Sequence, residues 1–366
     1  MDNLAHSLVG AWMAEAGLKS KTPLATATLV IGANLPDIDG FTMVLGADRS
    51  LFLRRGLTHG VIALAVLPWL LAGAMVLWDK QVRRRRHPDK EPAKFYPLLA
   101  LSYVSVLSHP LLDWMNTYGV RVLMPFDGRW FYGDTLFIID PWLWLLTAAA
   151  VVMADARARW SIAGWSLLGL ASTGLVFFSG MVPWPVKALW VVGLANIVFL
   201  RLRAVRSVPA ERVATVCGVL LVLYLGAMFA GSRLAAGQVE EWLRQRGTQV
   251  ESTMAAPLPA NPFLRDVIVL APEHYEFVEV DWLAREEGRF RISHAPMPRD
   301  MTHPVVEAAL SAPQVQGFAN WLRFPTYQLE RTEGGYRVVL QDVRYSRTSN
   351  GIGTAIVELD EELRPR

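Results

Sequence analysis

Long apolar runs separated by short polar connections fill most of the first 232 residues. The runs 60–78, 136–154, 162–181 and 213–231 are each close to the twenty or so residues an α-helix needs to cross a bilayer. The run 186–200 is shorter, and the run 95–115 is apolar but carries Ser108, His109, Pro110 and Asp113 near its end. Two N-terminal pieces, 4–16 and 23–35, are too short to span and predict half-embedded or tilted helices sheltered by the others. Past residue 232 the pattern changes. Residues 234–246 read as an amphipathic helix, and 266–270, 275–282, 288–293, 336–345 and 354–359 read as strands rich in valine, isoleucine and aromatics, broken by Gly, Pro and Asn. Short helices are expected at 305–310 and 315–322.

The pattern predicts an all-α polytopic membrane domain over residues 1–232. It is followed by an extracytoplasmic α+β, mainly β, domain over 233–366. Composition agrees: 52% of residues are hydrophobic and only 19% charged, against about a quarter charged in soluble domains. The mean hydropathy is +0.27. The formal charge of +3 does not point to nucleic acid, because the basic residues cluster beside apolar runs. Lys19 and Lys21, Arg83 to Arg86 with Lys90 and Lys94, Arg157 with Arg159, and Arg201, Arg203, Arg206 and Arg212 occupy every second connection. That asymmetry places those connections in the cytoplasm, and the C-terminal domain on the opposite side, in the periplasm of a Gram-negative cell. The single cysteine, Cys217, excludes an intrachain disulfide and a cysteine-based zinc site. No cleavable signal peptide is expected, since Asp2, His6 and Glu15 interrupt the first twenty residues.

The chemistry-bearing residues lie near the ends of the apolar runs. They are His6; Asp37 and Asp39 in Leu35-Pro36-Asp37-Ile38-Asp39-Gly40; His59 after Thr58; His109 and Asp113; and Asp140 before Pro141. Counting crossings from the arginine-rich connections puts all of them on the outward side. His109 and Asp113 are four apart and share a face if the helix is continuous, with Pro110 a point where it could kink. Imidazole nitrogen and carboxylate oxygen suit zinc, manganese or iron. His6, Asp37, Asp39, His59, His109 and Asp113 are the candidate metal ligands, with Asp140 and Asp39 as candidate catalytic bases. Taken singly, His6 also reads as an interface histidine, Asp37 and Asp39 as solvated or capping groups, and Asp140 as a helix cap. Arg54, Arg55, Asn116 and Arg121 lie on the same side as candidate substrate contacts, the arginines suiting an anionic group such as phosphate.

The motifs Ala5-His6-Ser7-Leu8-Val9-Gly10, Leu35-Pro36-Asp37-Ile38-Asp39, Arg55-Gly56-Leu57-Thr58-His59, Ser108-His109-Pro110-Leu111-Leu112-Asp113, Asn116-Thr117-Tyr118-Gly119-Val120-Arg121 and Ile138-Ile139-Asp140-Pro141 occur in this order. Over roughly the first 145 residues the chain thereby resembles bacterial inner-membrane proteins known as membrane-bound, metal-dependent hydrolases, some of them under SOS (LexA) control. The resemblance implies a hydrolase whose metal ligands are the residues named above. The order His, Asp, His, then His-x-x-x-Asp is also similar to that of the zinc-dependent phospholipase C and P1 nuclease group, helical enzymes that cleave phosphoesters. Over the stretch that carries the resemblance no His-x-x-x-Glu pair follows Asp113, so one or two ions are implied, zinc foremost, rather than three.

The sequence thus favours hydrolysis of a phosphoester, lipid or lipid-linked, with membrane lipid as neighbour and no nucleic-acid partner. Ionisable groups in membrane segments also mark ion pathways, which keeps metal or ion transport as an alternative. The polar groups gather at one face, however, and the runs 162–181 and 213–231 carry no charge that would extend a path. A third reading, a scaffold whose C-terminal domain binds a partner, would leave the histidines replaceable.

Overall fold

The computed structural model describes residues 1–155, 158–180, 182–203, 209–345 and 353–366. Arg157, Arg206 and Met181, used above to place connections and a span end, lie outside the described residues. In chain order the helices are α1 (Asn3–Glu15), α2 (Ala25–Asn34), a 3-10 stretch (Leu35–Leu45), α3 (Ala47–Leu53), α4 (Val61–Arg86), α5 (Phe95–Trp114), α6 (Pro141–Asp155), α7 (Arg159–Phe178), α8 (Trp184–Arg203) and α9 (Ala210–Arg244). Among the described residues, five helices (α4, α5, α7, α8 and α9) are long and apolar enough to cross a membrane.

Three differences from the hydropathy reading have local causes. The 136–154 run does not form a full span: its helix α6 begins only at Pro141 and has 15 residues. Proline suits a first helical position because it has no N–H to leave unpaired and its φ is preset. Asp140 caps the helix by accepting from the amides of Trp142 and Leu143 at 2.9 and 3.0 Å. The 186–200 run is extended at both ends into a 20-residue helix. The 213–231 run and the amphipathic piece after it form one 35-residue helix, because Gly231 alone does not stop it.

The chain divides into two compact units. The first comprises Met1–Ile38, Thr58–Gly231 and Pro257–Pro262. In it α1 packs on α2 and α6, α2 packs on α5, and α5 packs on α4. Ala5, Val9, Met13, Leu29, Leu112 and Leu143 belong to one buried cluster that joins α1, α2, α5 and α6.

The second unit comprises Asp39–Leu57, Ser232–Ala256 and Phe263–Arg366. Strands β1 (Ser252–Leu258), β2 (Asn261–Leu270), β3 (His274–Asp281) and β4 (Phe290–Pro298) form one sheet in that order. Helices α10 (Pro304–Leu310) and α11 (Gln316–Trp321) follow. Strands β5 (Pro325–Thr332), β6 (Gly335–Asp342) and β7 (Thr354–Asp360) make a second sheet with β6 central. Alternation along β2 and β3 sorts the first sheet's two faces. Val267, Val269, Val278 and Val280 pack with Ala235, Val239 and Leu243 of α9, while Ile268 and Phe277 face Phe324 and Val343. The segment Asp39–Leu57 is held within this unit by α11: the Phe318 amide donates to Asp48 Oδ1 at 2.9 Å. Only glycine fits beside it, because a Cβ on Gly317 would stand 2.0 Å from the Asp48 carbonyl oxygen.

Candidate metal centre

Four elements of the first unit bring donors together: α1, the first residues after α2, the turn before α4, and the last turns of α5. Helix α5 runs unbroken through Pro110, so His109 and Asp113, four residues apart, project from one face. The tight turn Leu57–His59 delivers His59 at the head of α4, and Asp37 follows α2 in the 3-10 stretch. Among the described residues, Asp37, His59, His109 and Asp113 are the group that could hold a metal ion. One donor atom from each lies within 4.8 Å of the others.

The separations suit a single ion. His59 Nε2 is 3.1 Å from His109 Nε2, 3.3 Å from Asp113 Oδ2 and 3.8 Å from Asp37 Oδ1. His109 Nε2 is 3.5 Å from Asp113 Oδ2 and 3.6 Å from Asp37 Oδ1. Metal–ligand bonds of about 2.0–2.1 Å in a tetrahedron place neighbouring donors roughly 3.3 Å apart. The tautomers also fit. His109 Nδ1 lies 2.6 Å from the Ala33 carbonyl oxygen, which can only accept, so Nδ1 carries the hydrogen and Nε2 offers its lone pair inward. His59 Nδ1 lies 3.0 Å from the Thr58 hydroxyl. Two imidazole nitrogens aimed at each other and at two carboxylates call for a cation between them.

Electrostatics favour the same state. The side chains of His59, His109 and Asp113 are fully buried and that of Asp37 is 9% exposed. A buried carboxylate without a cation costs several kcal/mol, so two of them create a strong demand for positive charge. The α-ammonium of Met1 pairs with Asp113 Oδ1 and meets part of it. Burial by itself would raise the Asp37 carboxyl. Positive charge set opposite it at His109, then at His59, outweighs burial and holds it below the usual carboxylate range, which is the role a bound cation would take. Asn3 donates to Asp37 Oδ2 at 2.9 Å and leaves Oδ1 toward the histidines.

His6 stands beside the group. Its Nε2 is 3.4 Å from Asp113 Oδ1, and its ring stacks on His109 with centroids 3.8 Å apart. Burial, then the proximity of His109, push its imidazole down to about 3, so His6 is neutral and its lone pair is available.

The remaining candidates stand elsewhere. Asp140 caps α6 and accepts from Tyr224 Oη at 2.7 Å through its other oxygen. Tyr224→Phe therefore strands a buried carboxylate oxygen, and a loss of about 1–3 kcal/mol in thermal or denaturant stability is the expected result. Unchanged stability would show that Asp140 does not depend on this bond. Asn116 is buried and accepts from the Tyr118 amide at 2.9 Å. Arg121 is buried with its guanidinium 4.8 Å from the Trp130 ring centre. Asp39, Arg54 and Arg55 belong to the second unit, where the Arg55 amide donates to Asp39 Oδ2 at 2.8 Å. Sequence reasoning missed Asn3, Ala33 and Tyr224. Asn3 precedes His6 by one helical turn, which was a readable signal; a backbone carbonyl and a lone hydroxyl in an apolar span gave none.

Comparison with known proteins adds to this geometry. Residues of the chain are 24% identical over 124 positions to "Uncharacterized protein YfhP" of Bacillus subtilis, 33% of this chain and 34% of that one. The match thus spans about a third of that relative's length. No solved structure matches. The family model described as "YdjM inner membrane protein" matches residues 1–186, which include Asp37, His59, His109, Asp113 and the whole of α1 to α7. With its apolar spanning helices, its buried histidine and aspartate group and a match over half its length, this chain belongs to the YdjM inner membrane protein family.

Proposed function

We propose that this chain is a membrane-bound, metal-dependent hydrolase of phosphoesters, lipid or lipid-linked, working at the periplasmic face of the inner membrane. The observation that carries the reading is the group of Asp37, His59, His109 and Asp113, whose donor atoms converge within 4.8 Å. These residues would hold a divalent ion, zinc foremost with manganese or iron suiting the same donors, which would supply a water of near-neutral pKa and polarisation of a phosphoryl oxygen. His59 and His109 would supply the nitrogen donors, Asp37 and Asp113 the charge, and His6 stands beside the group with Nε2 toward Asp113. Asn116 and Arg121 follow Asp113 along the chain and are offered to the anionic oxygens of the substrate.

Charge along the helices supports the sidedness. Helix α4 begins beside His59 and ends in Arg83 to Arg86, and α5 begins beside Lys94 and ends in His109 and Asp113. Basic ends favour the cytoplasm, which leaves the donors on the opposite face.

The test uses the full chain purified in detergent. Metal content is measured, and phosphodiesters and phospholipids are offered with zinc, manganese or iron. Bound metal, with turnover lost on chelation and restored by the ion, is expected. Bound metal with silence on every phosphoester would overturn the hydrolase and favour a metal-handling membrane protein. Absence of metal under all conditions would overturn the centre itself.

A further inference from the structure

The first unit contains a second feature far along the chain from the donors. Helices α6, α7 and α8 line an open-sided apolar cavity of about 750 Å³. Its size lies within the range of small-molecule and cofactor sites. On α8 it extends from Trp190 to Leu202, twelve helical steps, or roughly 18 Å of helix at 1.5 Å per residue. That length covers one leaflet of hydrocarbon, about half of a 30 Å core. The wall is apolar almost throughout, with Trp144 and Trp190 toward one end.

The other end is different. Arg201 lines the cavity there, on the last turns of α8, and Ser166 lines it from the early turns of α7. Val152 near the end of α6, Ile162 near the start of α7 and Arg201 near the end of α8 all line this mouth, and Arg201 makes it basic. A cavity one leaflet long, apolar along its walls and basic at one end, complements an amphiphile with a hydrocarbon chain and an anionic head. Basic pockets between transmembrane helices are known to take anionic lipid head groups.

We propose that the α6–α7–α8 cavity binds an anionic glycerophospholipid, its acyl chain along Trp190 and Trp165 and its phosphate at Arg201. This site is distinct from the metal centre, shares no residue with it and does not depend on the hydrolase reading. The lipid is a bound component of the leaflet on the Arg201 side.

Native mass spectrometry of the full chain, with phosphatidylglycerol or phosphatidylcholine of matched chains added, tests this. Wild type is expected to retain phosphatidylglycerol in preference to phosphatidylcholine. Arg201→Gln is expected to reduce phosphatidylglycerol retention about tenfold, the effect of one lost charge-assisted hydrogen bond, and to remove the preference. Gly169→Phe provides an independent check. Gly169 lines the cavity and a Cβ there meets nothing within 4 Å, so the ring enters open space and fills it. It is expected to reduce retention of both lipids while the elution profile in detergent stays that of wild type. Equal retention of the two lipids by wild type, a preference that survives Arg201→Gln, or lipid retained by a normally eluting Gly169→Phe protein would each overturn the proposal.

Discussion

Asp113→Ala is expected to lower metal affinity by at least about 100-fold. Residues that only orient a ligand already account for roughly 10–100-fold when removed, and a donor at the centre of the group accounts for more. Asp113 is that donor. One oxygen stands 3.3 Å from His59 Nε2 and 3.5 Å from His109 Nε2; the other stands 3.4 Å from His6 Nε2 and pairs with the Met1 α-ammonium. Removing it takes away a ligand and the charge facing three imidazoles at once. Asp113→Asn keeps the volume and one acceptor oxygen but not the charge, and is expected to fall between the two. Competition against a chelator of known affinity reads both variants. Wild-type affinity in Asp113→Ala would remove Asp113 from the centre and, with it, the basis for the other assignments.

Gly60→Ala carries the second large effect, and it acts on shape instead of charge. A Cβ on Gly60 would stand 2.2 Å from the Met124 carbonyl oxygen and 2.9 Å from its carbon. Both are backbone atoms, so a side-chain rotation cannot relieve the clash. The strand of chain around Met124 is itself tied to this turn, since the Val61 amide donates to the Val122 carbonyl at 3.0 Å. Either the Val122–Met124 segment moves or the Leu57–Gly60 turn does, and overpacking of this kind costs about 1–3 kcal/mol. Because His59 is the preceding residue, the turn's displacement carries Nε2 away from its partners. A lower melting temperature with weakened metal binding is the expected pair of results. Lowered stability with undiminished metal affinity would locate the whole adjustment at Met124 and leave His59 in place.

The apolar spans were legible because bilayer crossing needs a simple quantity, length times hydropathy, that a sequence displays directly. The same quantity misjudged α6, where Asp140 and Pro141 fix the start by hydrogen bonding and φ, which hydropathy does not count. It also divided α9 at Gly231, although one glycine within so long a helix costs only about 1 kcal/mol. In the second unit the valine- and isoleucine-rich strands β2, β3, β6 and β7 were readable. Strand β1, Ser-Thr-Met-Ala-Ala-Pro-Leu, has few β-branched residues, and edge strand β5 is largely polar and opens on Pro325; both were missed. At the centre, the spacing of His109 and Asp113 on α5 could be read from the chain. Counting crossings put Asp37 and His59 on the same side as that pair, but the closeness of their approach could not be read, because it depends on how α2 and α4 pack against α5.

The hold of α11 on the segment Asp39–Leu57 bears on how far this protein can be taken apart. That segment leaves the first unit immediately after one donor, Asp37, and rejoins it immediately before another, His59. A chain ended at Gly231 would retain every residue of the donor group yet lose Gly317 and Phe318, against which Asp48 is seated. The two donors would then be joined by an untethered loop, and the entropy of closing it would weigh on every ion bound. The segment is therefore a restrained linker between two donors, and its restraint comes from residues beyond Gly231.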